Sequence, residues 1–103
     1  MRDARMAALK EMLEVDPNDA FALYGLALEY KTIGELELAL PLLQKAAALP
    51  EPEVYTYYQL GEVFMGLGEM DEAEAALKLG IERANHLNDE KAAHELNALL
   101  NSI

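Results

Sequence analysis

The sequence contains no cysteine and no tryptophan. Without cysteine there is no disulfide framework, no thiolate metal site and no thiol nucleophile, and the redox compartment stays open. β-Branched residues are sparse while Ala and Leu dominate, in a composition that is 52% hydrophobic. That balance favours packed helices over a sheet. Long apolar runs are missing too: no stretch approaches the roughly 20 residues of a membrane-spanning helix. The N-terminal stretch interleaves Arg2, Asp3, Arg5, Lys10, Glu11 and Glu14 with its apolar residues, so it lacks the uninterrupted apolar core of a secretory signal. The expected location is the cytoplasm.

Positive charge is scarce as well, with 8 Lys and Arg against 19 Asp and Glu and a formal net charge of −11. Nucleic acids and anionic membrane surfaces are bound by basic patches that displace counterions, so neither is an expected partner. The acidic surplus serves solubility, or it attracts a basic partner at long range. It is uneven: residues 51–103 hold 11 acids and 3 bases, residues 1–50 hold 8 and 5. Any steering therefore comes from the C-terminal half. At 103 residues the chain fits one domain with a single core and a stability of roughly 5–15 kcal/mol.

What the chain does contain is a repeat. Residues 54–87, VYTYYQLGEVFMGLGEMDEAEAALKLGIERANHL, align without a gap on residues 20–53, AFALYGLALEYKTIGELELALPLLQKAAALPEPE, a period of 34. Leu23 pairs with Tyr57, Leu26 with Leu60, Ala27 with Gly61, Tyr30 with Phe64, Gly34 with Gly68, Ala39 with Ala73, Leu43 with Leu77 and Ala46 with Gly80. Large stays large and small stays small. A fixed period of this length marks an array of supersecondary units, each of which buries its apolar face only against its neighbours.

Both units resemble the tetratricopeptide repeat, a helix-turn-helix family of this same period. In the second unit the family's order of large residue, Leu, small residue, aromatic, Gly, Ala, large residue and small residue is met by Tyr57, Leu60, Gly61, Phe64, Gly68, Ala73, Leu77 and Gly80. The first unit departs at Leu23, where an aromatic is usual. It departs again in its closing turn, where Leu49-Pro50-Glu51-Pro52 straddles the place of a single proline; the second unit has Asn85 there. The resemblance implies an all-α, right-handed α-α superhelix of helix-turn-helix repeats, a solenoid of about six helices.

In chain order, residues 2–15 read as a helix with Met6, Leu9, Met12 and Leu13 on one face. Val15-Asp16-Pro17-Asn18 ends it, because the residue before proline is pushed out of helical geometry. In the family register, residues 1–17 resemble the second helix of a repeat whose first helix is missing. Asn18 or Asp19 caps a helix over about Ala20–Ile33, in which Leu23, Leu26, Ala27 and Tyr30 form a core stripe and Gly34 supplies the turn. The next helix, about Glu35–Leu49, buries Leu36, Ala39, Leu40, Leu43 and Ala46. Pro41 lies near enough to its start to distort it without breaking it. Pro50-Glu51-Pro52 closes repeat 20–53.

Repeat 54–87 restates the stripe with Tyr57, Leu60, Gly61 and Phe64, turns at Gly68, and returns over Met70 to about Leu87. Asp71, Glu72 and Glu74 suit the positive N-terminal end of that helix. Asn88 and Asp89 start a last helix to about Asn101, with Ala92, Ala93, Leu96, Leu99, Leu100 and Ile103 on one side. Residues 88–103 lack the repeat signature and resemble the capping helix that closes many such arrays. Met1 and the polar Asn101-Ser102 favour a complete chain.

In the family, the first helix of each repeat lines a concave groove with positions that the core stripe leaves free. Carried over, these are Phe21, Tyr24, Leu28, Lys31 and Thr32, then Tyr55, Tyr58, Glu62, Met65 and Gly66. The resemblance thus implies an aromatic peptide-binding groove of Phe21, Tyr24, Leu28, Lys31, Tyr55, Tyr58, Glu62 and Met65. Exposed patches of this kind are commonly interaction sites, and Tyr combines large contact area with a polar tip. The bland alternative is that these side chains pack on one another or beneath the terminal helices. Repeats that hold the C-terminal carboxylate of chaperones use Lys and Asn where this chain has Tyr24 and Leu28, so that use is not expected.

Enzymatic chemistry has little to stand on. His86 and His94 are the only histidines, and a His86, Glu90, His94 metal site at helical spacing would be interrupted by the break near Asn88. Gly61, Gly66 and Gly68 fall at repeat positions and make no phosphate-cradling loop, and no carboxylate is marked by a reactive partner. The function expected is non-enzymatic protein or peptide binding, as an adaptor or small co-chaperone, with no cofactor. The partner would be another protein or peptide, basic or apolar, laying apolar side chains between Tyr24, Tyr55 and Tyr58 and basic groups toward Glu62. The alternative is a self-assembling scaffold whose aromatic face forms a weak homodimer.

Overall fold

The structure, a computed structural model, describes residues 2–103; Met1, read above as a chain start, lies outside them. Each apolar stripe becomes a helix: α1 (Arg2–Val15), α2 (Ala20–Thr32), α3 (Leu36–Ala47), α4 (Val54–Gly66), α5 (Met70–His86) and α6 (Glu90–Leu100). No strand occurs among the described residues. The helices group into two units, α1 to α3, ending at Pro52, and α4 to α6, spanning Glu53–Ile103.

Local chemistry sets most of the ends. Of the two candidate caps, Asp19 does the work: its carboxylate accepts from the Ala22 N–H at 3.0 Å, while the Asn18 N–H donates to Asp16 Oδ1 at 2.9 Å in the turn before. Asp89 caps α6 in the same way, accepting from Ala92 N–H at 3.0 Å. Gly34 and Gly68 stand at φ 83° and 78°. Both turns close with the same two bonds. Glu35 N–H reaches Tyr30 O at 2.9 Å and Gly34 N–H reaches Lys31 O at 3.0 Å; Glu69 N–H reaches Phe64 O at 2.8 Å and Gly68 N–H reaches Met65 O at 3.0 Å. These are Schellman closures, which need a left-handed residue that glycine adopts without steric cost.

Several ends differ from expectation by one or two residues. α2 stops at Thr32 because Ile33, at φ −91° and ψ 7°, already belongs to the turn. α3 starts at Leu36 and stops at Ala47, short of Leu49, since Pro50 holds Leu49 out of helical geometry. Pro41 leaves α3 continuous; the carbonyl it deprives of a donor belongs to the first turn. With Asn85 in place of a proline, α5 extends to 17 residues against 12 in α3. It ends at His86, and Asn88, at φ 57°, supplies the left-handed residue of a third Schellman closure. α6 ends at Leu100, so Ile103 lies beyond it and is exposed, not part of its apolar side.

In the first unit α2 packs on both α1 and α3. Leu9, Ala22 and Leu26 form a core cluster, with Met6, Met12, Leu13, Tyr30 and Leu42 against it. Charge fastens the edge: Arg5 Nε lies 3.0 Å and Arg2 Nε 3.3 Å from the two Glu29 oxygens, and Lys10 Nζ sits 5.8 Å from the Tyr30 ring centroid. In the second unit α5 packs on α4 and α6, and α6 also touches α4. Val54, Leu77, Ala84, Ala92 and Leu96 are its buried cluster. Burial of Leu77 and Leu96 contributes roughly 1.5–3 kcal/mol each.

Small residues set the helix spacing there. A Cβ on Gly61 would run into Leu77 Cδ2, and one on Gly80 would lie 2.7 Å from Tyr57 Cβ and 3.0 Å from Leu96 Cδ2. The repeat's alternation of large and small is this steric fit. Tyr30, Tyr57 and Phe64, expected in the core stripe, are only half-buried.

Candidate peptide-binding faces

On α2 the residues Ala22, Leu23, Gly25, Leu26 and Ala27 are buried. Phe21, Tyr24, Leu28 and Lys31 recur at helical spacing on an adjacent stripe. Phe21 is 63% exposed, while Tyr24, Leu28 and Lys31 are half-buried. Thr32 is exposed, its hydroxyl donating to Leu28 O at 2.8 Å within its own helix.

The same register on α4 holds Tyr55, Tyr58, Glu62 and Met65, all half-buried, with Gly66 exposed at the end. The Tyr55 and Tyr58 rings lie 6.3 Å apart, tilted by 60°, an arrangement that suits their quadrupoles. Both rings pack against the buried cluster of the unit, and the Tyr55 hydroxyl donates to Glu95 Oε1 at 3.1 Å. These two tyrosines therefore serve core and surface together. The Tyr58 hydroxyl is pushed above its ordinary 10.0, first by burial and then by the carboxylates of Glu62 and Glu95. Each of these disfavours the phenolate, so at neutral pH Tyr58 is a protonated donor in an acidic setting.

Glu95 was not singled out from sequence, yet it reaches the tyrosine face. A signal for it exists: it stands three residues after Ala92 and four before Leu99, at the edge of the apolar side of α6, where a carboxylate has to find a donor. His86 and His94 are exposed on α5 and α6, on either side of left-handed Asn88. Among the described residues no group of three His, Cys, Asp or Glu is placed to hold a metal ion. No helix among them is long and apolar enough to cross a membrane.

Comparison with known proteins bears on the repeat and the fold. The tetratricopeptide repeat family model matches residues 54–86. No curated protein matches. Among solved structures, the chain is similar to MamA MSR-1 C2, with a TM-score of 0.66 and 22% identity over 98% of this chain and 66% of that one. The chain thus spans just under two thirds of that structure's length, and the likeness at this identity concerns the fold. Residues 54–86 thus carry a tetratricopeptide repeat, and the described residues form an all-α array of six helices with a fold like that of a tetratricopeptide repeat protein.

Proposed function

We propose that the chain is a non-enzymatic protein- or peptide-binding module, adaptor-like or co-chaperone-like, in which each unit offers a docking face of its own: the Phe21, Tyr24, Leu28, Lys31 stripe of α2 in the first and the Tyr55, Tyr58, Glu62, Met65 stripe of α4 in the second. Repeats of this family typically form interaction or scaffold modules. The observation that carries the reading is Phe21, 63% exposed on the stripe that also bears Tyr24 and Leu28. Leaving such a ring in water forgoes roughly 1.5–3 kcal/mol, which a partner's contact recovers, and buried aromatic anchors dominate binding energy at protein interfaces. The raised pKa of Tyr58 suits it to donate a hydrogen bond, not to abstract a proton.

The test is selection of a random peptide library on the immobilised protein, followed by titration of the selected peptides against wild type and the Tyr24→Ser, Tyr58→Ser double variant. Peptide affinity should fall by about tenfold or more in the variant, equivalent to at least 1.4 kcal/mol. Sedimentation velocity over a range of concentrations runs beside it. A wild-type dimer that the double variant abolishes, with no peptide selected, would replace this reading with self-assembly.

A further inference from the structure

α1 is the most lightly held helix of the first unit. Leu9 is the one buried residue among its 14, whereas α2, the helix it packs on, buries five of 13. Leu9 closes over Ala22 and Leu26, where Gly25 leaves it room: a Cβ there would lie 3.2 Å from Leu9 Cδ2. The rest of the attachment is charge at the surface. Arg2 and Arg5 reach Glu29, and Lys10 reaches the Tyr30 ring; pairs this exposed are weak and screened by salt. Lifting α1 away would open the Leu9, Ala22, Leu26 cluster to water, and apolar surface of that kind draws a replacement.

The connection to α2 is short. Asp16-Pro17-Asn18-Asp19 reverses the chain with the Asp16 N–H on Met12 O at 2.9 Å and the Asp19 N–H on Asp16 O at 3.1 Å. Pro17 biases Asp16 toward extended geometry, so once those bonds let go the hinge directs α1 away from its own α2. A second copy brings an occupant of the same shape and charge. α1 sets Arg2, Arg5 and Lys10 against Asp3, Glu11 and Glu14, a balance of zero in a chain of −11. The segment that crosses therefore carries none of the acidic surplus that holds two copies apart.

We infer that the α2 seat takes the α1 of a second copy, so that two chains trade these helices in a reciprocal, two-fold pair. Each contact of the seat is remade in identical form. The closed monomer and the pair then differ by the hinge and by the cost of association, and the pair is favoured as concentration rises. Leu9, Ala22, Leu26 and Glu29 carry the exchange, and the Phe21, Tyr24, Leu28 stripe does not. The pair thus offers that docking face twice.

The absence of cysteine makes the exchange measurable. Arg5→Cys and Glu29→Cys chains, each checked for helicity by circular dichroism, are mixed at micromolar and millimolar concentration and treated with a short bismaleimide. Covalent heterodimer should rise with concentration and exceed about tenfold that from Lys78→Cys on α5 mixed with Glu29→Cys, because only the swapped seat raises the effective concentration of the two thiols. Sedimentation equilibrium of the unsubstituted chain runs beside it and decides alone if a cysteine variant does not fold. It should show a dimer at millimolar concentration that persists in the Tyr24→Ser, Tyr58→Ser variant and weakens about threefold or more in Pro17→Gly, which frees Asp16 from its extended bias. Heterodimer no more abundant than the Lys78→Cys control, a chain monomeric at millimolar concentration, or a dimer indifferent to Pro17→Gly would overturn the inference. A dimer abolished by the two tyrosine substitutions would overturn it as well, and assign the contact to the aromatic faces.

Discussion

The Tyr55 hydroxyl and the Glu95 carboxylate, 40 residues apart in sequence, meet at 3.1 Å between α4 and α6. Tyr58, whose ring lies 6.3 Å from that of Tyr55, reports on the same carboxylate. Burial and the charges of Glu62 and Glu95 hold its pKa above 10.0. Glu95→Gln should lower that pKa partway, with burial and Glu62 keeping it above the ordinary value. Because the folded pKa is raised, the folded state retains a proton that the unfolded chain releases near 10. The stability this contributes is full below pH 10 and is lost as pH rises through the folded pKa. NMR titration of the tyrosine rings, with urea melts above pH 10, checks both points. A Tyr58 that titrates at its ordinary value would contradict its burial first, and with it the placement of Glu62 and Glu95.

Three glycines test whether helix spacing has been read correctly. Gly80→Ala sets a methyl against Tyr57 Cβ, an atom tied to the backbone, and Gly61→Ala sets one against fully buried Leu77. Overpacking of this kind costs about 1–3 kcal/mol, against a gain in helix propensity of about 1 kcal/mol, so both variants should lose stability. Gly25→Ala meets only the ends of Leu9, at 3.2 and 3.4 Å, and Arg5 Nη2 at 3.5 Å. Those ends can yield, and propensity should prevail, stabilising by up to about 1 kcal/mol. Urea denaturation of the three variants gives the order; a Gly80→Ala as stable as wild type would refute the tight α4, α5 and α6 contact.

Much of this was legible because it is periodic. The demand for a small residue against Leu77 and Tyr57 recurs with each repeat, so Gly61 and Gly80 mirror Ala27 and Ala46 at an offset of 34. Helix ends were legible to within one or two residues, since caps and pre-proline sterics act locally. The contact of Glu95 with Tyr55 was not, because a single pair between helices leaves no period behind. Nor does the sequence distinguish a tyrosine that faces solvent from one that also packs on the core; Tyr55 and Tyr58 do both. Asn88 was expected to mark a break, but asparagine enters turns in many ways, and only its φ of 57° shows it taking the place that Gly34 and Gly68 hold elsewhere.

Glu29 gathers Arg2 and Arg5, whose side chains are 48% and 51% exposed while its own is 19% exposed. Exposure on the arginine side limits the pair to roughly 0.5–1 kcal/mol at low salt. Glu29→Gln should therefore destabilise by no more than that, and the difference from wild type should shrink at high salt. Faster amide exchange should be confined to α1, where Leu9 is the one buried residue. Global acceleration would mean that α1 is fastened to the whole fold more firmly than these contacts allow.

Asn88 tests how the α5–α6 turn places Glu95. Its closure uses Asp89 N–H to Ala84 O at 2.8 Å and Asn88 N–H to Asn85 O at 3.1 Å, bonds that require the left-handed conformation it adopts. A β-branched residue there should cost about 1–2 kcal/mol, so Asn88→Val should lower the urea midpoint. Asn88→Gly should be near neutral, since relief of the Cβ is offset by the greater freedom of glycine in the unfolded chain. The consequence reaches the tyrosine face. If Asn88→Val loosens α6, Glu95 moves away from Tyr55 and Tyr58, and the Tyr58 pKa should fall toward 10.0 together with stability. A variant that loses stability while Tyr58 keeps its raised pKa would show that the packing of Ala92 and Leu96 holds α6 in place without the turn.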